Sequence, residues 1–358
     1  MLENENKNRV IKFSVIWGIV FVAGIVIWLI TLGGQDDARA WRALLINFVY
    51  FTPLSAGMVV WVAVVKASNG NWMGKLEPLG ITGAAFAIPS VLFLGLLWIG
   101  SSHWASWFGG IHNKSGWLDN TYLFIRDLLA LIFFWATAFW FIYRRNTERK
   151  LFASGVLIVV YCSVFTLLAF DLIMALDPEW ESTLFGAYFF ISGLYVAITA
   201  LTFISLFTVK PDDARKHDLG KLILAFSILT TYMMFCQLLV MYYENLPSET
   251  RFIVPRMNFV PWETISFILI GLFYLGPLIL LLTIWAKKTT WYLGMVCFIL
   301  LIVMWIERWW LVDATFQHAL HFGWAEISSF AAFAGILGLG MIQFSFRMKN
   351  VLYQTDKN

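Results

Sequence analysis

Ionisable side chains inside long apolar runs are where this sequence can do chemistry, because charge in hydrocarbon is costly and is kept where it serves a purpose. Arg126 and Asp127 stand about 10 Å inside an apolar run that opens at Asn120. Asp171 lies about 30 Å along a run starting near Leu151, and Glu307 and Arg308 about 25 Å along one starting at Thr290, with Asp313 at its mouth. Glu244 closes another run, while Glu263 and Glu326 open two more. If the runs cross a bilayer in alternating directions, all these groups fall in the same outer third. The opposite half offers hydroxyl and amide groups such as Tyr161, Ser163, Thr166, Thr230, Thr231, Tyr232 and Gln237, with His217, Asp218 and Lys221 at its entrance. The pattern therefore predicts a proton acceptor near one surface and no carboxylate relay from side to side. The plainer alternative is that Arg126 with Asp127 or Asp171, and Arg308 with Glu307 or Asp313, are neutralised pairs locking helices together. Adjacent helical residues project about 100° apart, so Arg126 is expected to find its partner on another helix.

The elements that position these groups follow from composition. Of 358 residues 60% are hydrophobic and 13% charged, about half the charge of a soluble domain, which excludes both a water-soluble globule and a disordered chain. Ten runs reach the roughly 20 apolar residues that cross a bilayer: 11–32, 43–65, 78–99, 120–142, 151–175, 184–207, 219–243, 262–285, 290–312 and 324–346. The loops are short, so residues 1–358 read as one integral-membrane domain, and the first run is too long for a cleavable signal core. Eighteen Lys and Arg fall on the side of the N-terminus, five on the other and two, Arg126 and Arg308, inside runs. That bias predicts cytoplasmic termini, and the net charge of +3 is a topology signal that carries no nucleic-acid inference.

The remaining candidate ligands are sparse. Cys162, Cys236 and Cys297 each sit alone in mid-run, read as buried small hydrophobes. All five histidines lie at the predicted interfaces and no CxxCH is present, so a haem carried by this chain alone is not expected. His318 and His321 have the spacing to share a metal, but a solvated loop pair is the favoured reading. Trp98, Trp104, Trp107, Trp117, Trp180, Trp309, Trp310 and Trp324 crowd the outer ends, as an interfacial belt or as walls for a planar ring. Pro53, Pro89 and Pro277 fall inside runs, where each frees a carbonyl and can bend its helix.

Two long blocks carry a resemblance. The stretch from Phe170 through Asp171, Met174, Asp177-Pro178, Trp180, Ser182-Thr183 and Phe185-Gly186 to Tyr188-Phe189-Phe190 resembles the FDxxMxLDPxWxSTxFGxYFF signature of the membrane subunits of alternative complex III, in the polysulfide-reductase (NrfD-like) superfamily. His217-Asp218-Leu219-Gly220-Lys221, with Phe226, Tyr232, Gln237 and then Tyr243-Glu244-Asn245-Leu246-Pro247-Ser248-Glu249-Thr250, is similar to a second block of that family, and Lys221 favours its ActF-type members. Tyr242 stands where relatives often carry Trp, and the loop from His103 to Leu118 matches loosely.

The resemblance implies an all-α polytopic fold of two four-helix bundles plus two flanking helices, in a bacterial cytoplasmic membrane. It implies membership of a respiratory or photosynthetic complex that oxidises quinol and passes electrons to a cytochrome c or a terminal oxidase. Expected partners are a paralogous NrfD-like subunit, an iron-sulfur subunit, multihaem and monohaem cytochrome c subunits, and lipids. Haem c and iron-sulfur clusters would belong to those partners, with quinone or quinol the one cofactor this chain would touch and none bound covalently. On this reading Asp171, Asp127, Arg126 and Asp177 line an outer proton pathway with Asp171 as acceptor, and His103 and Trp104 are the quinol contacts. A secondary transporter, with repeated halves and broken helices, and a passive assembly subunit are the alternatives.

Overall fold

The computed structural model describes residues 2–34, 37–70, 72–109, 116–316 and 321–347, with side chains from Val10 onward. Among them the chain is helical, without strands, and ten helices have the length and apolarity to cross a membrane. They are α1 Leu2–Leu32, α2 Asp37–Ala67, α3 Leu76–Ile99, α4 Asn120–Arg144, α5 Lys150–Leu172, α6 Thr183–Thr208, α7 Asp213–Glu244, α8 Trp262–Leu280, α9 Thr290–Asp313 and α10 Trp324–Arg347. Helices apolar on every face are stable only where the surroundings are apolar too, and Ile19, Leu129, Phe152 and Phe235 point outward accordingly.

Helix ends follow local chemistry. Asp119 caps α4 by accepting the Tyr122 N–H at 2.8 Å. Asn245 stops α7 in the left-handed region at φ +48°, its N–H on the Met241 carbonyl, and Pro247 opens a separate one-turn helix, Pro247–Thr250. Two helices are irregular inside. In α3 a tightened turn over Thr82–Phe86 precedes Pro89, whose missing N–H would have bonded Ala85. In α8 residues Leu269–Leu275 are π-helical, just before Gly276-Pro277, and the helix ends at Leu280 instead of running on to 285 as the hydropathy predicts. The Tyr274 carbonyl, at this break, accepts from Ser227 at 3.1 Å and Thr231 at 3.3 Å on α7, so a neighbouring helix supplies its partners. Lys287 then closes the turn by donating to the carbonyls of Leu281 and Leu282. Burial, with Lys221 nearby, pushes its ammonium below the usual lysine range.

The packing is two rings joined back to back. Helices α2, α3, α4 and α5 close one four-helix bundle, and α6, α7, α8 and α9 close the other. The seam runs along α2 and α6, both buried nearly all round; α2 touches α5, α6, α9 and α10. Outside the rings α10 lies on α2 and α3, and α1 packs mainly on α10. Their backbones approach closely: a Cβ added at Gly24 would stand 2.5 Å from the Ala332 nitrogen, and one at Gly335 the same distance from the Phe21 nitrogen. In lipid such small-residue contacts supply the association that burial supplies in water.

Candidate functional site

The α4–α5 antiparallel pair brings the start of one helix beside the end of the other, and the predicted acids meet there. Arg126, two turns into α4, donates from Nη2 to Asp171 at 2.5 Å. Trp117 donates its indole N–H to the other Asp171 oxygen at 2.8 Å, and the Arg126 guanidinium lies 3.8 Å from the Trp117 ring centre. Asp127 is fully buried, 3.9 Å from the Arg126 Nε, and its carboxyl faces that of Asp171 across the seam. The expected partner on another helix is thus present: Arg126 hydrogen-bonds Asp171 and holds Asp127 only at ion-pair distance, with neither Asp127 oxygen hydrogen-bonded. Two carboxyls against one guanidinium make a neutral cluster only when they hold one proton between them, which is the arrangement of a proton-exchanging group. Trp117, half exposed, covers it from outside.

A second cluster occupies the other bundle. Glu307 and Arg308 on α9 pair at 3.0 Å although they are sequence neighbours. Arg308 also donates to Ser192 Oγ on α6 at 2.6 Å and lies over the Phe189 ring. The Tyr188 hydroxyl, on α6, donates to Glu307 and stands 3.0 Å from that of Tyr274 on α8. All of these side chains are buried. The sequence singles out Glu307, Arg308 and Tyr188 one at a time; Tyr274 went unnoticed, its signal being a lone hydroxyl in an apolar run beside a Gly-Pro break. Each ring thus carries a buried carboxylate far along its fourth helix, Asp171 in one and Glu307 in the other.

Other expectations resolve differently. Asp313 pairs with Arg42 at 2.8 Å and accepts from Trp309, leaving Arg308 to Glu307. Glu326 pairs with Arg39 at 2.7 Å. Asp177 is not brought to Arg126: it lies beyond the end of α5 and pairs with Arg251, in the loop after α7, at 3.1 Å. The two therefore line a cavity of about 50 Å³ with Trp180, Phe252 and Arg256, roomy enough for water but not for a ring. Arg256 is buried with backbone carbonyls and Thr315 as its hydrogen-bond partners, and burial, opposed by Asp177, pulls its guanidinium down to about 9.

Trp104 is a correction. It is packed in the core with its indole N–H on the Leu97 carbonyl at 2.9 Å and its ring against Trp107 and Phe124, so no ligand reaches it. An aromatic in a loop-like stretch reads as an outer contact, but here a short helix, Ser101–Trp104, turns it inward. His103, on the same turn, is exposed and lies nearly parallel to Trp41 at 6.2 Å. His112 and His318, with the pairing of His318 and His321, lie outside the described residues. Among the described residues no group of three His, Cys, Asp or Glu is placed to hold a metal. In the opposite half Ser163 and Thr230 donate to carbonyls of their own helices, and Thr231 to carbonyls of its own helix and of Tyr274 on α8.

No protein-family model matches the chain, and no curated protein matches it.

Proposed function

We propose that this chain is an integral membrane subunit of a quinol-oxidising electron-transfer complex of the alternative complex III kind, and that its part in the reaction is to accept and pass on protons. The observation that carries the reading is the Arg126, Asp127, Asp171 and Trp117 cluster: two buried carboxyls and one guanidinium, met by the start of the first block of resemblance at Asp171. Residues of that block make three of the polar contacts in this half of the molecule. Asp171 opens it, Asp177 reaches Arg251 just past the second block, and Tyr188 near its end reaches Glu307. Two of these contacts are ion pairs and the third is a hydrogen bond, so the matched stretch contributes polar side chains as well as packing.

Oxidation of a quinol releases two electrons and two protons, so a base must stand near the leaving proton and a route must lead to water. Asp171 with Asp127 is that base in this reading. Arg126 holds the deprotonated form, and the half-exposed Trp117 side is the exit. Electrons go to centres on partner subunits, the iron-sulfur and c-haem groups, and the bacterial cytoplasmic membrane is the setting. His103, exposed beside Trp41, is the one quinol contact retained from the sequence.

Gentle detergent purification of the tagged chain, followed by haem staining, partner mass spectrometry and a quinol-oxidation assay, tests the reading. Co-purifying iron-sulfur and multihaem proteins with activity are expected, and Asp171→Asn should lower turnover at least tenfold with the complex intact. A solitary, inactive chain would sink the assignment; unchanged turnover and proton release in Asp171→Asn would remove the cluster from the mechanism.

A further inference from the structure

Between α6 and α9, at the end where α6 finishes and α9 begins, the surface opens into a groove of about 610 Å³ walled by Phe203, Phe207, Trp291, Met295 and Phe298. Its volume falls in the range of roughly 300–1,000 Å³ typical of small-molecule sites, but its lining is apolar save for Thr290. Phe207, Trp291 and Phe298 on its walls are exposed on the outer surface of the two helices. Thr290 is the link to a different chemistry. Lys216 donates to its hydroxyl at 3.0 Å and pairs with the exposed Asp213 at 2.8 Å. Lys288 and Lys287 act electrostatically on the same corner, around Asp213 and His217. Residues 210–221 and 287–288 carry six Lys and Arg against three Asp, a surplus of positive charge at the end of the bundle where the slot opens, with Lys216 and the exposed Lys288 the cations free of backbone carbonyls nearest its Thr290 corner. Trp291, exposed at that mouth, is the residue type that settles at the head-group level.

We propose that this groove seats a phospholipid with an anionic head group, its acyl chains against Phe203, Phe207 and Phe298 and its phosphate against Lys216 and Lys288. Charge complementarity selects the occupant. A neutral helix of another subunit would fill the slot without any need for the cations, and a free phosphate would have no need of the slot. Asp213, the acid facing the same lysine, is exposed and exchanges its pairing with Lys216 for water when phosphate arrives. The inference needs only that α6 and α9 span a membrane and is independent of the electron-transfer reading.

The full chain, with whatever subunits accompany it, is purified in neutral detergent and melted with added phosphatidylglycerol, phosphatidylcholine of the same chains, or inorganic phosphate. Phosphatidylglycerol is expected to bind and stabilise most. Lys288→Gln, distant from the core, should weaken phosphatidylglycerol about fivefold and leave phosphatidylcholine unchanged, and Lys216→Gln likewise. Met295→Trp, which narrows the slot, should weaken both lipids. Equal response to the two lipids, or a phosphate response matching phosphatidylglycerol, overturns the proposal. A photoreactive side chain at Phe298, activated in native membranes, gives the second readout: a lipid-mass adduct supports the lipid, and a protein adduct assigns the groove to a subunit and overturns it.

Discussion

At the scale of single residues, Glu307 and Arg308 make the more demanding case, because neither reaches water and the pair has no second acid. Removing one partner of such a pair strands the other, a loss of about 3–5 kcal/mol in buried sites, whereas removing both costs much less. Glu307→Gln is therefore expected to be severely destabilising, and Glu307→Gln with Arg308→Gln less so than Glu307→Gln alone. Tyr188→Phe deletes one hydroxyl and should cost about 0.6 kcal/mol, the average for hydrogen bonds between membrane helices, and no more than about 1.7 kcal/mol. Denaturant titration of the purified protein reads all three; a double variant weaker than Glu307→Gln would mean that the pair is held by something other than mutual charge. Which residues carry charge into the membrane was legible in the sequence, since charge among apolar residues stands out. Which acid each arginine holds was not. Arg308 takes its sequence neighbour and Asp313 goes to Arg42, because α2 lies against α9, and nothing in a single sequence fixes that adjacency.

At the scale of helices, length and apolarity set all ten; most ends agree with the hydropathy within a few residues, while α1, α2 and α7 begin earlier, at Leu2, Asp37 and Asp213, because polar first turns extend each helix beyond its apolar run. α8 alone is shorter at its end than hydropathy suggests by several residues, stopped at Leu280 by the Gly276-Pro277 break that hydropathy passes over. The inward turn of Trp104 and the placement of Asp177 escaped for a related reason: both depend on short connecting structure outside the spans, where periodicity carries no information. The α1–α10 pair rests on something sequence displays only as scattered small residues. Because α1 meets the rest of the molecule chiefly through α10, a bulky side chain at the crossing should release it without disturbing the bundles. Gly335→Leu, whose Cβ alone would sit 2.5 Å from the Phe21 backbone, is expected to free α1. Limited proteolysis of detergent-solubilised protein should then cut in the α1–α2 connection at least tenfold faster. Unchanged cleavage would mean that the Trp28 indole on the Ala40 carbonyl and the Gln343 contact with Ser14 hold α1 unaided.

For the molecule as a whole, orientation decides what the acids can do. Ten spans put both ends of the chain on one side, and the lysine-rich ends of α6, α7 and α9 lie on that side too. On the positive-inside bias we propose that this is the cytoplasmic side; the clusters around Asp171 and Glu307 would then face outward, where the proposed reaction would release its protons. Trp117 and Lys210 lie at opposite ends of the bundles and report the direction. In a background with Cys162, Cys236 and Cys297 replaced by Ala, Trp117→Cys should react with a membrane-impermeant maleimide added to intact spheroplasts, and Lys210→Cys should react only after lysis. The reverse pattern would turn the whole molecule over. Asp171 would then deliver protons to the cytoplasm, the outward-release reading would fail even if the complex co-purified, and the anionic-lipid groove would open on the outer leaflet.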